Sequence, residues 1–301
     1  MDRLESMSIL VTAAEAGSLS AAARRLAIPL STVSRKISEL ETHLNARLLI
    51  RSSRKITLTD TGRAYVEACK RILEDVNESE RAVSGEYRAP KGELIITAPI
   101  VFGRLHVLPV AMEFLKAYPD VHIRCVLTDR VVNLLEDHVD LAVRIAKLPD
   151  SSLIATRIGS VCRVVCGSPI YFAQRGTPKR INDLAIHDCI TFEGFSSPDV
   201  WAFTTGKSNT SVSVRSRLVV NTAEAAIDAA IAGLGITRVL SYQVAESVKA
   251  GLLTVVLSEL EQVSSPVSLV YAGQRLLPLK LRAFLDFAAP RLKARLLGAA
   301  V

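Results

Sequence analysis

Residues 18–44 read SLSAAARRLAIPLSTVSRKISELETHL, and no other stretch constrains the fold of this chain as tightly. A short helix over 20–26 carries Ala21, Ala22 and Ala23, small enough to let a second helix approach closely. The break falls at Ala27-Ile28-Pro29, because proline lacks a backbone donor and is tolerated only near a helix start. The following helix sets Val33, Ile37, Leu40 and Leu44 at i, i+4, i+7 and i+11, one apolar stripe facing a core. Its other face presents Ser31, Thr32, Ser34, Arg35 and Ser38, with Lys36 beside them. Short hydroxyls and cations near a helix start suit close approach to phosphates and base edges. An ordinary helical hairpin with a solvated polar face fits the same residues, so the flanks have to decide.

Upstream, Leu4, Met7, Leu10, Val11 and Ala14 predict a helical stripe, with Gly17 where a C-terminal cap belongs. Downstream, residues 48–51 and 55–59 read as two short strands joined by a small wing, with Arg54 near its tip and Arg51 at its base. An arginine there suits the narrow, negative minor groove or a phosphate. Residues 20–63 hold nine Lys/Arg against three acids, a net +6, whereas the whole chain carries only +7. Most of the excess positive charge therefore lies in one small unit, the electrostatic footprint of DNA binding.

This unit resembles the winged helix-turn-helix of LysR-type transcriptional regulators in MDRLESMSIL, AGSLSAAARRL, VSRKISELE and ARLLIRSSRKITLTDTGRAY. The likeness continues through GELIITAP, FLKAYPDV, DRVVNLLEDHVDLAVRI, LPDSSLIA, GTPKRINDLAIHDCI and AGLGIT, in order, over essentially the whole chain. The sequence departs from that family at Pro29 and Leu30, where a polar helix entry is usual, and at Val101 and Ala146. The resemblance implies a DNA-binding regulator of transcription acting as a homodimer or homotetramer. Its partners would be double-stranded DNA and RNA polymerase, and a small-molecule effector would control it from between two α/β lobes.

A length of 301 residues suggests two or three domains, and 49% apolar residues suffice for their cores. No basic start precedes an apolar segment and no run approaches the ~18 apolar residues of a membrane span, so a cytoplasmic protein without membrane contact is expected. Five cysteines (69, 125, 162, 166 and 189) form no disulfide-like framework. Cys162 and Cys166 lie in the strand-like run VCRVVC and read as buried small hydrophobes. The alternative is a redox-sensing pair in a regulator of the same architecture.

Residues 60–88 predict one long helix, capped by Thr59 and ending before the breaker cluster Ala89-Pro90-Lys91-Gly92. Tyr65, Cys69, Ile72, Val76, Ser79 and Val83 alternate gaps of four and three, the spacing of a two-helix seam. A helix of roughly 43 Å must bury that stripe somewhere, and a second copy of itself is the simplest partner. Packing against the rest of its own chain is the other.

From Gly92 onward strands and helices alternate, which predicts a mostly parallel sheet with helices on both faces. Strands are expected at 94–96, 121–127, 140–145, 161–166, 212–220, 235–237 and 267–271. Helices are expected at 104–118, with Leu105, Leu108, Met112 and Leu115 inward, and at 131–137, 222–232 and 278–296. The fold class is therefore α/β: an α-rich winged helix-turn-helix over 1–59, a linker or dimerisation helix over 60–88, and an effector-binding domain over 89–301. The resemblance gives that domain two lobes like those of periplasmic binding proteins, the first over 92–162 and 267–301, the second over 163–266.

Clefts between such lobes bind ligands at strand ends and helix starts. Thr97, Pro99, Ile100, Val101 and Phe102 follow the first strand, and Asn221-Thr222-Ala223-Glu224 opens a later helix with capping-box spacing. Thr237 and Arg144 stand near other strand ends, Arg144 as a candidate carboxylate ligand. The caps fit a purely structural role equally well, and Arg144 fits an internal ion pair. The apolar Val101 and Phe102 suggest an effector with an apolar or aromatic body and one anionic end. No cofactor or metal is expected, since His43, His106, His122, His138 and His187 show no metal-ligand spacing. No nucleophile elbow or P-loop is present, and Gly233-Leu234-Gly235 lacks the helix a nucleotide loop needs. His187-Asp188-Cys189 reads as structural, because neighbours in a strand point to opposite faces. Catalysis finds no support, and the remaining alternative is a solute-binding protein with an appended basic domain.

Overall fold

The first helix, α1 (Arg3–Ala16), starts where the Asp2 carboxylate accepts from the Glu5 amide and stops at Gly17, φ 68°. It belongs to a computed structural model that describes residues 2–51, 56–84, 89–192, 199–205, 208–260, 264–273 and 277–298. The chain divides into two units, Met1–Arg88 and Ala89–Val301. In the first, Ser18 caps α2 (Leu19–Leu26) through the Ala21 amide, and the helix ends at Ala27 with φ 54°. Pro29 then stands at the N-cap of α3 (Leu30–Leu44) with no side-chain cap, its carbonyl accepting from the Thr32 and Val33 amides.

Val33, Ile37 and Leu40 of α3 are fully buried against Ile9, Leu10, Ala13, Ala22 and Leu48, with Leu44 at the margin. The buried side of α1 is rotated from the expected one and shares only Leu10 fully with it. Ile9, Leu10, Ala13 and Ser6 face inward, Met7, Val11 and Ala14 are partly covered, and Leu4 is exposed. Ser6 tolerates burial because its hydroxyl donates to the Asp2 carbonyl. Apolar residues on several sides of α1 leave its period ambiguous.

Strands β1 (Leu49–Arg51) and β2 (Ile56–Leu58) pair antiparallel, Leu49 opposite Leu58. The wing tip with Arg54 lies outside the described residues. Helix α4 (Asp60–Ser84) follows, the Thr59 hydroxyl accepting from the Gly62 amide. Gly62 is pressed against the wing: a Cβ there would lie 2.0 Å from the Leu48 carbonyl oxygen. Val66 and Cys69 enter the helix-turn-helix core, whereas Ile72 is 41% exposed and Val76 partly so.

The second unit begins with β3 (Gly92–Ala98), α5 (Ile100–Phe102), a π-helical turn at Gly103–Val107 and α6 (Leu108–Ala117). Then come β4 (Val121–Leu127), β5 (Leu141–Ile145), β6 (Leu153–Gly167), α7 (Pro169–Arg175) and β7 (Asp188–Phe192). The chain continues with β8 (Val200–Thr205), β9 (Ser208–Ser213), β10 (Arg215–Val220), α8 (Ala223–Ile231) and β11 (Ile236–Leu240). It closes with α9 (Ser241–Lys249), β12 (Thr254–Val256), β13 (Ser264–Ala272) and α10 (Leu279–Gly298). Strand order is β10-β7-β11-β6-β13-β5-β3-β4, with β12 also on β6 and β8-β9 a separate hairpin.

The long β6 makes two lobes of one sheet. Its first part, to Cys162, pairs with β13, and from Arg163 on it pairs with β11 and β12. The sheet is mixed rather than mostly parallel: β3 with β4 and β5, and β7 with β10 and β11, run parallel, while every pairing of β6 and β13 is antiparallel. The first lobe packs α6 and α10 on its strands, Phe114 meeting Phe284 edge-on at 5.0 Å. In the second lobe, adjacent Val164 and Val165 of β6 enter different apolar clusters.

Three further expectations fail here. Residues 131–137 form turns, not a helix: the Asn133 side chain accepts from the Leu135 amide, Asp137 accepts from the Asn133 amide, and His138 sits at φ 53°. The strand expected at 212–220 is two strands, β9 and β10, with different partners on either side of Val214. The inward residues after β3 are His106, Val107, Val110, Ala111 and Phe114, whereas Leu108 and Met112 are exposed. Two apolar stripes share one period there, and the sheet selects the other.

Candidate functional site

With Val33, Ile37 and Leu40 inward, α3 turns Ser31 and Arg35 to solvent and leaves Thr32, Ser34 and Ser38 partly exposed. Arg35 Nη1 lies 2.7 Å from Glu39 Oε1, one turn further along the same helix. Lys36 is different. Its ammonium bonds the Glu5 carboxylate of α1, leaving only 14% of its side chain exposed, so it braces α3 against α1. Glu41 Oε1 accepts from the Leu48 and Leu49 amides at 2.8 and 3.1 Å and fixes the entry to the wing. Three acids of this unit are thus engaged internally. Glu41 carries no signal in the sequence because its partners are backbone amides seven and eight residues away. Arg51 supplies the last residue of β1, paired with Ile56.

In the second unit the polar side chains expected to meet an effector are largely occupied. The Thr97 hydroxyl donates to the Val126 carbonyl at 2.8 Å and the Thr237 hydroxyl to the Ile190 carbonyl at 3.1 Å, both buried. Arg144 donates to the Val132 carbonyl, and burial pushes its guanidinium pKa down. The Ile100 amide donates to Asp129 Oδ1 at 3.1 Å. Val101 and Phe102 are buried, while Pro99 and Ile100 stay partly exposed. The N-cap of α8 is Thr222, accepting from the Ala225 amide, rather than Asn221, which is exposed.

Contacts between the lobes join Phe102 and Glu224, both on expected segments, to Tyr242 and Arg104, which the sequence did not single out. The Phe102 ring meets Tyr242 of α9 edge-on at 5.4 Å, and His106 lies 5.5 Å from the same ring. His106 is 6% exposed and neither ring nitrogen has a hydrogen-bond partner. Burial, and then the charge of Arg295, push its pKa down to about 4, so it is neutral. Arg104 Nη2 reaches Glu224 Oε1 of α8 at 2.7 Å, tying the 99–104 segment to the 221–224 segment. The partners are 120 residues apart, so no local pattern announces the pair. A groove of about 550 Å³ between α10 and the β6–β13 pair, lined by Thr156, Tyr271, Arg282 and Asp286, includes none of the expected effector residues.

Several other titratable groups are held by burial or by partners. Burial pushes the Cys166 and Cys189 thiols up to about 12 and raises Cys125 too, whereas Cys162, expected to be buried, is only partly so. Asp188 bonds Arg175 at 2.9 Å and Arg217 at 3.3 Å, while His187 Nδ1 meets the Tyr171 hydroxyl at 3.1 Å. No group of His, Cys, Asp and Glu among the described residues is arranged to hold a metal, and no described helix is long and apolar enough to cross a membrane.

Two family models match. One, a bacterial regulatory helix-turn-helix protein of the lysR family, covers residues 4–63, and the LysR substrate binding domain covers 88–293. An HTH-type transcriptional regulator of Xanthomonas campestris is 34% identical over 94% of this chain and 84% of its own. An HTH-type transcriptional repressor of Pseudomonas aeruginosa is 33% identical over 95% of this chain and 91% of its own. Among solved structures, CrgA, a LysR-type transcriptional regulator from Neisseria meningitidis, aligns with a TM-score of 0.62 at 30% identity, covering 96% of this chain and 98% of that one.

Proposed function

The chain belongs to the LysR family of DNA-binding transcriptional regulators, and from that premise we propose how its residues divide the work. Helix α3 enters the major groove, where Ser31, Thr32, Ser34, Arg35 and Ser38 choose the sequence. Arg51 and Arg54 of the wing hold the flanking backbone or minor groove. Lys36 acts one step back, setting the pose of α3 through Glu5. The observation that carries this reading is the division of α3 into a fully buried face, Val33, Ile37 and Leu40, and an outward face bearing Ser31 and Arg35.

Two copies assemble through α4. Tyr65 lies beside the helix-turn-helix core, and Ile72 and Val76 continue the stripe beyond it, where a second α4 can cover them. The assembly is a homodimer or homotetramer that acts in the cytoplasm and passes its output to RNA polymerase. An effector with an apolar body and an anionic end binds between the lobes, near Pro99, Ile100, Asn221 and Thr222. Thr97, Val101, Phe102, Arg144 and Thr237 shape the walls from behind. Binding shifts the assembly only by as much as its affinities for the two arrangements differ.

The test is selection of bound duplexes from a random pool by the full-length protein, followed by a thermal-shift screen of small carboxylates. Enrichment of a two-fold repeated site and at least one stabilising ligand are expected. Recovery of an unenriched pool would refute the DNA reading.

A further inference from the structure

We propose that Arg104 is the residue that receives the anionic group of the effector, and that the Glu224 carboxylate, its partner in the structure, is the group the effector displaces. This deepens the proposed reading of the cleft and rests on it. Arg104 lies two residues beyond Phe102, in the π-helical turn of the first lobe, and Glu224 lies two residues beyond Thr222, in the first turn of α8. Their 2.7 Å contact therefore joins the ends of the two segments expected to border the ligand. The other candidate cation, Arg144, is occupied by the Val132 carbonyl, and the Thr97 and Thr237 hydroxyls are held by carbonyls of their own strands' neighbours.

The pair is suited to exchange. Its side chains are 56% and 40% exposed, so solvent and solutes reach both ends, and a pair this exposed holds only weakly. An incoming carboxylate replaces one carboxylate by another, leaving Arg104 balanced in charge and able to use the fork-like hydrogen bonding that guanidinium offers. A ligand that also buries an apolar body gains what Glu224 cannot. The displaced Glu224 is not stranded, because it remains in the first turn of α8, where the helix dipole favours an acid. Exchange also cuts a tie between the lobes. Arg104 would then report occupancy by releasing α8, which turns a local substitution of anions into a change in how the lobes are joined.

Benzoate and its neutral isostere benzamide test this by calorimetric titration of the full-length wild type, Glu224→Gln and Arg104→Gln. Both positions are half exposed, and unchanged thermal melting verifies that the variants fold. Freeing Arg104 in Glu224→Gln should tighten benzoate binding up to about fivefold, the equivalent of an exposed ion pair, and leave benzamide unaffected. Arg104→Gln should abolish the preference for benzoate over benzamide. Absence of that preference in Glu224→Gln at up to about 50 mM ligand, or its survival in Arg104→Gln, overturns the proposal. Compounds from the thermal screen separate the two readings. If they stabilise Arg104→Gln as fully as wild type, the cleft stands and the Arg104 assignment falls; if none stabilises either protein, both fall.

Discussion

If Arg35 reads DNA as proposed, it enters the complex from an existing partnership, and that sets what its loss should cost. In the free protein its guanidinium lies 2.7 Å from Glu39, an exposed pair one turn apart on α3. Such pairs contribute about 0.3–0.5 kcal/mol. A bidentate arginine contact to a guanine edge discriminates by about 1–3 kcal/mol. Such a guanine contact would be the stronger of the two, so on the proposed reading Arg35 should leave Glu39 on a cognate site. Arg35→Ala should then weaken specific binding by about 1–3 kcal/mol, or roughly five- to 150-fold. Random duplex should lose much less. Glu39→Gln removes the competitor and an acid near the phosphates, so it should tighten binding by roughly twofold while Arg35 is present. In the Arg35→Ala background that gain should shrink to the general electrostatic part. The assay is fluorescence anisotropy on the selected site and on random duplex at two salt concentrations. Equal losses on both DNAs would reduce Arg35 to a phosphate contact, and no loss would remove it from the interface.

Ile72→Glu places a charge on the stripe of α4 beyond the local core and should split the oligomer, read as molar mass by light scattering; an intact, folded oligomer would mean the stripe packs elsewhere. Gly62→Ala forces a Cβ to within 2.0 Å of the Leu48 carbonyl oxygen and should destabilise the helix-turn-helix unit by about 1–3 kcal/mol, followed by thermal melting. Asp188 is 6% exposed: burial raises its pKa, but the Arg175 bond and the charges of Arg175, Arg217 and Arg215 outweigh it and hold the carboxyl below the usual 3.8. A carboxyl lowered in the folded state contributes stability above its unfolded pKa and loses it as pH falls. Asp188→Asn should therefore lower the melting temperature at pH 7 and flatten the loss of stability below about pH 4.

What the sequence discloses is local. The stripe of α3 and the break at Pro29 rest on periodicity and on proline's missing donor, and both hold. Where two stripes share a period, as in α6, the choice belongs to the sheet, so Leu108 and Met112, inward by spacing, are exposed. The turn at 131–137 defeats the same reasoning because Asn133 offers its own side chain to the backbone, an alternative to helix that apolar spacing does not reveal. Lys36 sits in sequence among the residues proposed to face DNA, although its Glu5 partner lies 31 positions away in another helix. The Arg104–Glu224 pair is illegible for the same reason, since it exists only once both lobes have folded.

The most direct measurement is the binding curve and nuclease footprint of the full-length protein on its selected operator, with and without a ligand that stabilises it. A ligand acting through the lobes should shift the midpoint or alter the spacing and bend of the footprint in wild type, and should do neither in Thr222→Arg, which should retain basal DNA binding. Identical curves and footprints with and without bound ligand would contradict an effector-controlled regulator.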